Sequence, residues 1–279
     1  MTAAASQLFI AQPSISLAIS EMEDYYGVKL FDRISRKLYL TENGRRALQY
    51  ARHIIDLLDE MEQGVRDVDA MGRLKVGTSI TIGTYLLPGY IKKLKQQYPA
   101  LKVEASIANS GTIEQQILDN DIDVGIIEGV AHSPFILSES FAGDRLVFIC
   151  PAGHEFAGKT LEELSEVRNQ DFILREKGSA GREIFDGILA AQELNVRPIW
   201  QSASNQVILQ GVKAGLGISI LPYFLVRQDI REGELAEFRI KDLALNRKYS
   251  VIYHKNKFLP RSARTLMELC KEGNGADRI

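Results

Sequence analysis

Cysteine, histidine and long apolar runs are scarce in this chain, and each shortage excludes a class of protein. Among its 279 residues are two cysteines, Cys150 and Cys270, which are too few for a disulfide framework. They show no metal-ligand spacing, and the four histidines are scattered, so no metal site is expected. We expect buried free thiols, although a fold that pairs the two cysteines stays open.

A secretory signal and a membrane span are also missing from the sequence. Residues 1–6 lack a basic flank and an apolar stretch, and no run of about 18 apolar residues occurs. We therefore expect a cytoplasmic protein without a membrane partner. No nucleophile or acid–base pair stands out, and the glycines of GTSITIG (77–83) do not follow the dinucleotide-binding pattern. Neither enzymatic activity nor a cofactor is expected.

The first 41 residues predict two short helices followed by a small β-ribbon. The first helix covers Thr2–Phe9, and the second begins near Pro13 and ends before Gly27. Two helices joined by a short turn are typical of a helix-turn-helix, although many helical hairpins look alike. Four apolar residues of the second helix form one stripe, of which the first three are expected to be buried: Ile15, Ile19, Met22 and Tyr26.

Basic residues are concentrated just after these helices. Between residues 29 and 53, seven basic residues stand against two acidic ones, a local net charge of +5 in a chain whose overall charge is −2. Such a cluster is often only a solvated face. Here three of the cations flank the turn of the ribbon predicted at 30–41, where they would contact phosphates: Arg33, Arg36 and Lys37.

A long helix is predicted from Glu42 to about Met71, capped by the hydroxyl of Thr41. A seam repeats along it with close to a three-four spacing: Leu48, Ala51, Ile55, Leu58, Met61 or Glu62, Val65 and Val68. Such a seam favours a dimer, although a helix packed along its own domain would show a similar pattern.

From Leu74 onward, short β-rich runs alternate with helical segments. The runs LKVGTSI, LKVEASIA, DVGIIEG, RLVFICP, DFILRE, IWQSAS, GISILP and YSVIYHK predict parallel sheets covered by helices. So many strands in about 200 residues indicate two small α/β lobes. We place lobe I at about 74–144 and 256–279, and lobe II at about 145–255.

Small hydroxyl residues follow several of these strands, where open α/β sheets bind ligands. Together with the REKGSAGR segment they predict a cleft for a small anion or carboxylate, although each residue is also an ordinary helix cap. The candidate effector-binding residues are Thr78, Ser79, Thr81, Ser110, Thr112, Arg175, Ser179, Ser204 and Asn205.

These motifs resemble one family. The segment AAASQLFIAQPSISLAISEMEDYYGVKLFDR (3–33), followed by LTENG (40–44), resembles the DNA-binding segment of LysR-type transcriptional regulators. The resemblance continues through GTSITIGTYLLP, DVGIIEG, LREKGSAGR and AGLGISILP and covers essentially the whole chain. The TIGTYLLP stretch is similar to the branch that contains regulators of sulfur assimilation and of carbon fixation.

The resemblance implies an α/β protein with an N-terminal all-α winged helix-turn-helix (1–41), a linker helix for dimerisation (42–71) and a two-lobed, periplasmic-binding-protein-like effector domain (74–279). It implies promoter DNA as a partner, a small effector, a homodimer or homotetramer, and RNA polymerase as a further candidate partner. The implied DNA-binding residues are Gln12, Pro13, Ser14, Ser16, Leu17 and Ala18 on the recognition helix, with Arg33, Arg36 and Lys37 on the wing.

The sequence departs from the family pattern in two places. Leu17 and Ala18 stand where many relatives carry Arg, Gln or His, which leaves fewer base-reading donors. Relatives also have about one more helix ahead of residue 3, so we expect a start upstream of Met1. Otherwise the protein would be a small-molecule binding protein without competent DNA binding. An exported solute-binding protein shares the two-lobed architecture, but it would need a signal and no basic wing.

Overall fold

The computed structural model describes residues 2–34, 37–66 and 72–272. The chain divides into two compact units, Met1–Arg66 and Asp67–Ile279. The first unit contains, in chain order, α1 (Thr2–Gln7), α2 (Gln12–Tyr26), β1 (Phe31–Ile34), β2 (Lys37–Leu40) and α3 (Glu42–Arg66).

Helix α2 matches the predicted recognition helix in both position and ending. It carries Pro13 in its first turn, and Gly27 ends it in the left-handed region (φ 66°), where its N–H donates to the Glu23 carbonyl. Helix α1 ends two residues earlier than expected, because Phe9 adopts a positive φ of 54° in the connecting turn. A non-glycine residue with such a φ is uncommon outside tight turns.

The prediction for the apolar stripe of α2 is partly wrong. Ile15 and Ile19 are half-buried, but Met22 is 39% and Tyr26 is 62% exposed. The periodicity identifies the side of the helix that faces its own unit. It does not reveal that the neighbouring elements cover only part of that side, so Met22 is corrected to an exposed residue.

Helix α3 begins at the predicted residue with the predicted cap. The Gly44 amide donates to the Thr41 hydroxyl at 2.9 Å. The structure describes the helix to Arg66, and the seam position Val68 lies outside the described residues. None of the described helices is long and apolar enough to cross a membrane.

The second unit alternates strands and helices, as predicted. Its elements are β3 (Arg73–Ser79), α4 (Ile80–Tyr85), α5 (Leu87–Gln97), β4 (Lys102–Ala108), α6 (Ser110–Leu118), β5 (Val124–Glu128), β6 (Ile136–Pro151), β7 (Thr160–Leu161), a 3₁₀ turn (Leu164–Val167), β8 (Phe172–Arg175), α7 (Ala180–Ala191), β9 (Pro198–Ser202), α8 (Asn205–Lys213), β10 (Ser219–Pro222), α9 (Tyr223–Arg231), β11 (Leu235–Ile240), β12 (Asn246–His254) and α10 (Arg261–Glu272).

Strand β6 joins the two lobes of this unit. The sheet order is β4-β3-β5-β12-β6-β11-β7, with β10 also paired to β6, while β8 and β9 pair separately. The first half of β6 pairs with β12, and its second half pairs with β10 and β11. Strands β3, β4 and β5 are parallel, so their carboxyl ends meet at one edge of lobe I.

Each lobe has its own apolar cores. In lobe I, α5 and α10 pack on the sheet around Leu94, Val76 and Leu266. In lobe II, Phe172, Phe185 and Phe238 belong to one core. Cys150 and Cys270 are buried free thiols, as predicted, and burial raises the pKa of Cys150 to about 11.

The sequence-based boundary between the lobes is wrong for β12. We assigned 246–255 to lobe II, but β12 pairs with β5, and its residues Tyr249 and Val251 lie in the core of lobe I. The chain returns to lobe I before this strand. Pairing between strands more than 100 residues apart leaves no local signal in the sequence, which explains the error.

Candidate DNA and effector sites

The recognition helix presents its first two turns to solvent. Gln12, Pro13, Ser14, Leu17 and Ala18 are exposed, and the apolar side chain of Leu17 is 60% exposed. Ser16, which is half-buried, accepts a 2.7 Å hydrogen bond from the Gln12 amide, so the two side chains are held together one turn apart. Every predicted residue of this helix is therefore either accessible or in contact with one that is.

A buried carboxylate, which the sequence reasoning missed, fastens the wing to the recognition helix. Glu23 is 9% exposed and accepts hydrogen bonds from the Leu30 and Phe31 amides at 2.8 and 3.2 Å. It also pairs with Lys29 at 2.6 Å. The Lys29 ammonium and these amides lower the pKa of Glu23 to about 2. The sequence shows the acidic residue itself but not its role, because the amides that it binds lie seven and eight residues further along the chain.

The backbone that leads into the wing packs closely against α3 at Gly44. A Cβ at Gly44 would lie 2.0 Å from the Leu30 carbonyl oxygen, so no larger residue fits there without a backbone shift. The Thr41 hydroxyl, which caps α3, also donates to the Lys29 carbonyl at 2.6 Å. These contacts explain why LTENG follows the helix-turn-helix: its threonine and glycine set the position of the wing.

The wing is the predicted two-stranded antiparallel ribbon. Its register pairs Phe31 with Leu40 and Ile34 with Lys37. Arg33 is exposed on β1, whereas Arg36 and the side chain of Lys37 lie outside the described residues. The ribbon therefore offers at least the Arg33 guanidinium to a phosphate.

The seam residues of α3 whose side chains the structure describes are exposed in the single chain; Val68 and the side chain of Val65 lie outside this description. Leu48, Ile55, Leu58 and Met61 are 39, 59, 51 and 56% exposed. Further apolar residues beside the seam are exposed as well: Tyr50, Ile54 and Leu57. Together they form an apolar face that extends from Leu48 to Met61, over about four turns.

In the second unit, three predicted hydroxyls gather at the junction of β3 and α4. Thr78, Ser79 and Thr81 are at most 2% exposed, and their hydroxyl oxygens have no hydrogen-bond partner among the described residues. The Thr78 oxygen would lie 2.6 Å from a Cβ at Gly83, so it packs beneath α4. Buried hydroxyls normally have a partner, which makes this group exceptional.

A cleft of about 400 Å³ lies between the lobes beside this junction. Lobe I contributes Ile80, Thr84 and Tyr85, and lobe II contributes residues at the start of α8, on β10 and on α9: Ala203, Ser204, Asn205, Gln206, Leu209, Leu221 and Leu225. The size suits a small ligand. Ser204 caps α8 and accepts from the Val207 amide at 3.4 Å. No charged side chain lines this cleft among the described residues.

A second, much smaller cavity of about 10 Å³ brings together Arg175, Ser179 and Asn205. The Arg175 guanidinium is already engaged there. It donates to both oxygens of Glu176 at 2.9 and 3.1 Å and to Asn205 Oδ1 at 2.9 Å. Its charge is balanced within lobe II, so it holds Asn205 at the start of α8 instead of offering a free cation.

Five predicted effector residues line neither cavity: the three hydroxyl residues of the β3–α4 junction, Ser110 and Thr112. The Ser110 hydroxyl donates to the Glu128 carbonyl at 3.0 Å, and Thr112 is exposed in the first turn of α6. Nearby, the Gly111 amide of lobe I donates to the Gly178 carbonyl of lobe II at 3.0 Å. The lobes therefore touch through their backbones on this side.

A buried ion network at the hinge also escaped the sequence reasoning. Arg247, at the start of β12, donates to Asp144 of β6 at 2.8 and 2.5 Å, and its Nη1 lies 3.6 Å from Glu128 Oε2. Although burial opposes it, the Glu128 and Asp144 charges raise the pKa of Arg247 above its usual range. No short spacing could indicate this network, because its members lie up to 119 residues apart.

Comparison with known proteins identifies the family. A family model described as LysR substrate binding domain matches residues 69–275, and one described as bacterial regulatory helix-turn-helix protein, lysR family, matches residues 1–45. The chain is a LysR-type transcriptional regulator. This agrees with the α/β fold and the N-terminal winged helix-turn-helix described above.

Relatives of this LysR-type regulator align over nearly its whole length. The HTH-type transcriptional regulator YeiE of Escherichia coli (strain K12) is 34% identical over 275 residues, which cover 98% of this chain and 92% of YeiE. A probable RuBisCO transcriptional regulator of Cyanophora paradoxa is 30% identical over 275 residues, 95% of this chain and 84% of that protein. The RuBisCO relative fits the carbon-fixation side of the predicted branch.

A solved structure supports the fold of the effector domain. The regulatory domain of Synechocystis PCC6803 CcmR, in complex with 2-PG, superposes with a TM-score of 0.65 at 24% identity. The match covers 73% of this chain and 98% of that domain. The two-lobed architecture is therefore one that other regulators of the family share.

Proposed function

We propose that a small anionic effector, bound between the two lobes, modulates the binding of this regulator to promoter DNA. One observation carries the effector assignment: the buried hydroxyls of Thr78, Ser79 and Thr81 have no partner among the described residues. An unpaired buried hydroxyl costs about 1–3 kcal/mol, so a ligand that accepts hydrogen bonds from this junction is favoured.

The neighbouring cleft supports an anion bound by neutral donors. Helix α8 directs its N-terminus, with Asn205 and Gln206, toward the cleft. The first N–H groups of a helix are unpaired and carry partial positive charge, which favours a carboxylate or another oxyanion. Arg175 contributes by fixing Asn205, since its own charge is balanced by Glu176.

Effector binding acts on DNA binding through the arrangement of the lobes. An effector that contacts α4 on one side of the cleft and α8 on the other favours one lobe arrangement over others. The resulting change in DNA binding is limited by the difference in effector affinity between these arrangements.

The first unit, Met1–Arg66, is the DNA-binding unit and acts as a dimer or as a tetramer made of two dimers. Two copies of the exposed face of α3 would bury each other, and the paired α2 helices would enter successive major grooves about one helical turn apart. Gln12 then contacts a base or a phosphate, and Ser14 and Ser16 contact phosphate oxygens. Leu17 and Ala18 contact thymine methyl groups. Arg33, Arg36 and Lys37 contact the flanking phosphates. Such a protein works in the cytoplasm, where RNA polymerase is a further candidate partner.

Replacement of Ser79 or Ser204 by alanine tests the effector site. Thermal shifts with sulfate and small carboxylates identify ligands of the wild-type protein, because a ligand that binds only the folded state raises its melting temperature. We expect Ser79→Ala and Ser204→Ala to reduce these shifts and to leave basal binding of promoter DNA unchanged. Ser250→Ala is the matched control, since this buried hydroxyl has a partner, Ser140, at 3.1 Å.

Two results would contradict the assignment. One is a well-folded Ser79→Ala protein that has lost basal DNA binding. The other is a ligand response that both cleft variants retain in full.

A further inference from the structure

Glu128 is a buried carboxylate at the edge of the proposed effector site. It is the last residue of β5 and is 4% exposed. The parallel register of β3 and β5 pairs Thr78 with Ile126, which brings Glu128 to the sheet edge where β3 meets α4. Its Oε2 lies 3.6 Å from Arg247 Nη1, whereas its buried Oε1 accepts no hydrogen bond from any described residue.

Glu128 lines the 10 Å³ cavity between the lobes together with Arg175, Ser179, Asn205 and Arg247. The cations there already have partners. Arg175 is paired with Glu176, and Arg247 donates two hydrogen bonds to Asp144. Ser179 caps α7 by accepting from the Arg182 amide, and Asn205 Oδ1 accepts from Arg175. The Oε1 atom of Glu128 therefore has unused hydrogen-bonding capacity.

We infer that the effector carries a hydrogen-bond donor, either a hydroxyl or an ammonium group, close to its acidic group, and that Glu128 accepts from this donor. The inference rests on the proposed effector site and narrows its ligand from any small anion to a hydroxy acid or an amino acid.

Charge supports this choice of ligand. A second anionic group in the cavity would face the Glu128 carboxylate, and like charges repel strongly where water is excluded. A donor group satisfies Oε1, whose burial without a partner is costly. The volume admits one group about the size of a water molecule, which fits a hydroxyl or an ammonium but not a sulfate.

The acidic end of the ligand has a separate location. The cleft that contains Ser204 is lined by neutral side chains, and Ser79 and Thr81, whose hydroxyls have no partner among the described residues, flank the lining residue Ile80. Asn205 lines both the cleft and the small cavity, so the two spaces adjoin at this residue. A ligand with its acid group in the cleft and its donor in the small cavity would contact Asn205 from both spaces.

Matched sets of small acids test the inference on the full-length protein. Each set compares an unsubstituted acid with its hydroxyl and amino counterparts: acetate with glycolate and glycine, propionate with lactate and alanine, and succinate with malate and aspartate. Sulfate and phosphate complete the panel. Calorimetry and thermal shifts measure affinity, and we expect a hydroxy or amino acid to bind at least about tenfold more tightly than its unsubstituted counterpart.

Variants connect this preference to Glu128. Glu128→Gln keeps the shape but removes the charge of the acceptor, so we expect affinity for the preferred ligand to fall about tenfold toward that of the unsubstituted acid. Glu114→Gln is the matched control, because Glu114 is also a buried lobe I glutamate but does not line the cavity. Asp144→Asn changes the other acidic partner of Arg247, and we expect this variant to keep the preference for hydroxy or amino acids. Melting temperatures without ligand separate folding defects from binding defects.

The outcomes distinguish this inference from the proposed site itself. If sulfate, phosphate or the unsubstituted acids bind as tightly as their counterparts and require Ser79, the effector site stands and the role of Glu128 is overturned. If the preference persists in Glu128→Gln, or disappears equally in Asp144→Asn, the role of Glu128 is overturned as well. If no compound of the panel binds, both proposals fail.

Discussion

Each of the two units of this regulator is stabilised internally by a different kind of contact. In the effector unit, four apolar clusters bury large side chains of both lobes. In the DNA-binding unit, the buried apolar residues among those described are Ala5 and Leu30. Polar and backbone contacts take their place there: the Glu23 carboxylate, the Thr41 hydroxyl and the close approach at Gly44.

The DNA-binding unit buries little apolar surface of its own, whereas the effector unit buries much. Apolar residues of the DNA-binding unit remain at the surface, with Phe9 95% and Tyr25 83% exposed. Since burial of apolar surface is the main stabilising contribution in folding, we expect this unit to gain stability from a second copy and from DNA. The effector unit already has its cores, so its lobes can respond to a ligand without losing the fold.

The largest expected effect is a core truncation in the effector unit. Phe185→Ala removes a fully buried ring whose centroid lies 5.3 Å from that of Phe172 and 5.8 Å from that of Phe148. We expect a loss of about 3–5 kcal/mol in the free energy of unfolding, measured by urea denaturation. A loss below about 1 kcal/mol would show that the lobes are not stabilised mainly by these cores.

Charges placed on the exposed face of α3 should separate the dimer. In the double variant Ile55→Asp, Leu58→Asp, each new carboxylate lies where apolar contact between two copies is expected. We expect the dissociation constant of the dimer, measured by sedimentation, to rise at least about 100-fold, which corresponds to a loss of about 2.7 kcal/mol in the free energy of association. Asn43→Asp, at an exposed position near the start of α3, serves as the control. A double variant that remains a dimer would contradict the assigned face.

A single methyl group at the wing should disturb the DNA-binding unit selectively. In Gly44→Ala the new Cβ would lie 2.0 Å from the Leu30 carbonyl oxygen, so α3 or the wing must shift. We expect this shift to lower the free energy of unfolding by about 1–3 kcal/mol. Promoter binding should weaken while ligand-induced thermal shifts persist. At Gly89 a Cβ meets nothing within 4 Å, so Gly89→Ala is the control. Unchanged promoter binding by Gly44→Ala would refute this role.

A smaller effect is expected from pH through Glu23. Its pKa is lowered from 4.5 to about 2 in the folded unit, so its contribution to stability is present above pH 4.5 and is lost as the pH falls toward 2. Glu23→Gln should flatten this part of the pH dependence, followed by circular dichroism, and weaken promoter binding at neutral pH. If wild type and variant show the same acid profile, Glu23 does not hold the wing.

Local patterns in the sequence account for much of the fold. Gly27 ends α2 and Thr41 caps α3 through contacts within a few residues, which sequence reasoning handles well. The lobe of β12 and the Arg247 network depend on pairing across more than 100 residues, for which one sequence offers no signal. Periodicity also failed to indicate that Met22 is exposed, because exposure depends on which neighbours cover a helix face.

The candidate effector site was predictable as a region but not as a set of contacts. Hydroxyl residues at the end of β3 and before α8 predict a ligand site in this region, since strand ends and helix starts are recognisable in a sequence. Whether Arg175 is free depends on Glu176 and Asn205, and that pairing appears only in three dimensions. The same holds for Glu128, whose unused oxygen results from burial between the lobes.

We propose that effector response and DNA recognition reside in separate units, and paired titrations of Ser79→Ala and Arg33→Ala test this division most directly. Each variant is titrated with promoter DNA at two or more salt concentrations and with the acid that most stabilises the wild type. We predict that Ser79→Ala loses the ligand response but keeps wild-type DNA affinity, and that Arg33→Ala keeps the ligand response but binds DNA more weakly with a smaller salt dependence. Loss of both properties in both variants would contradict the account.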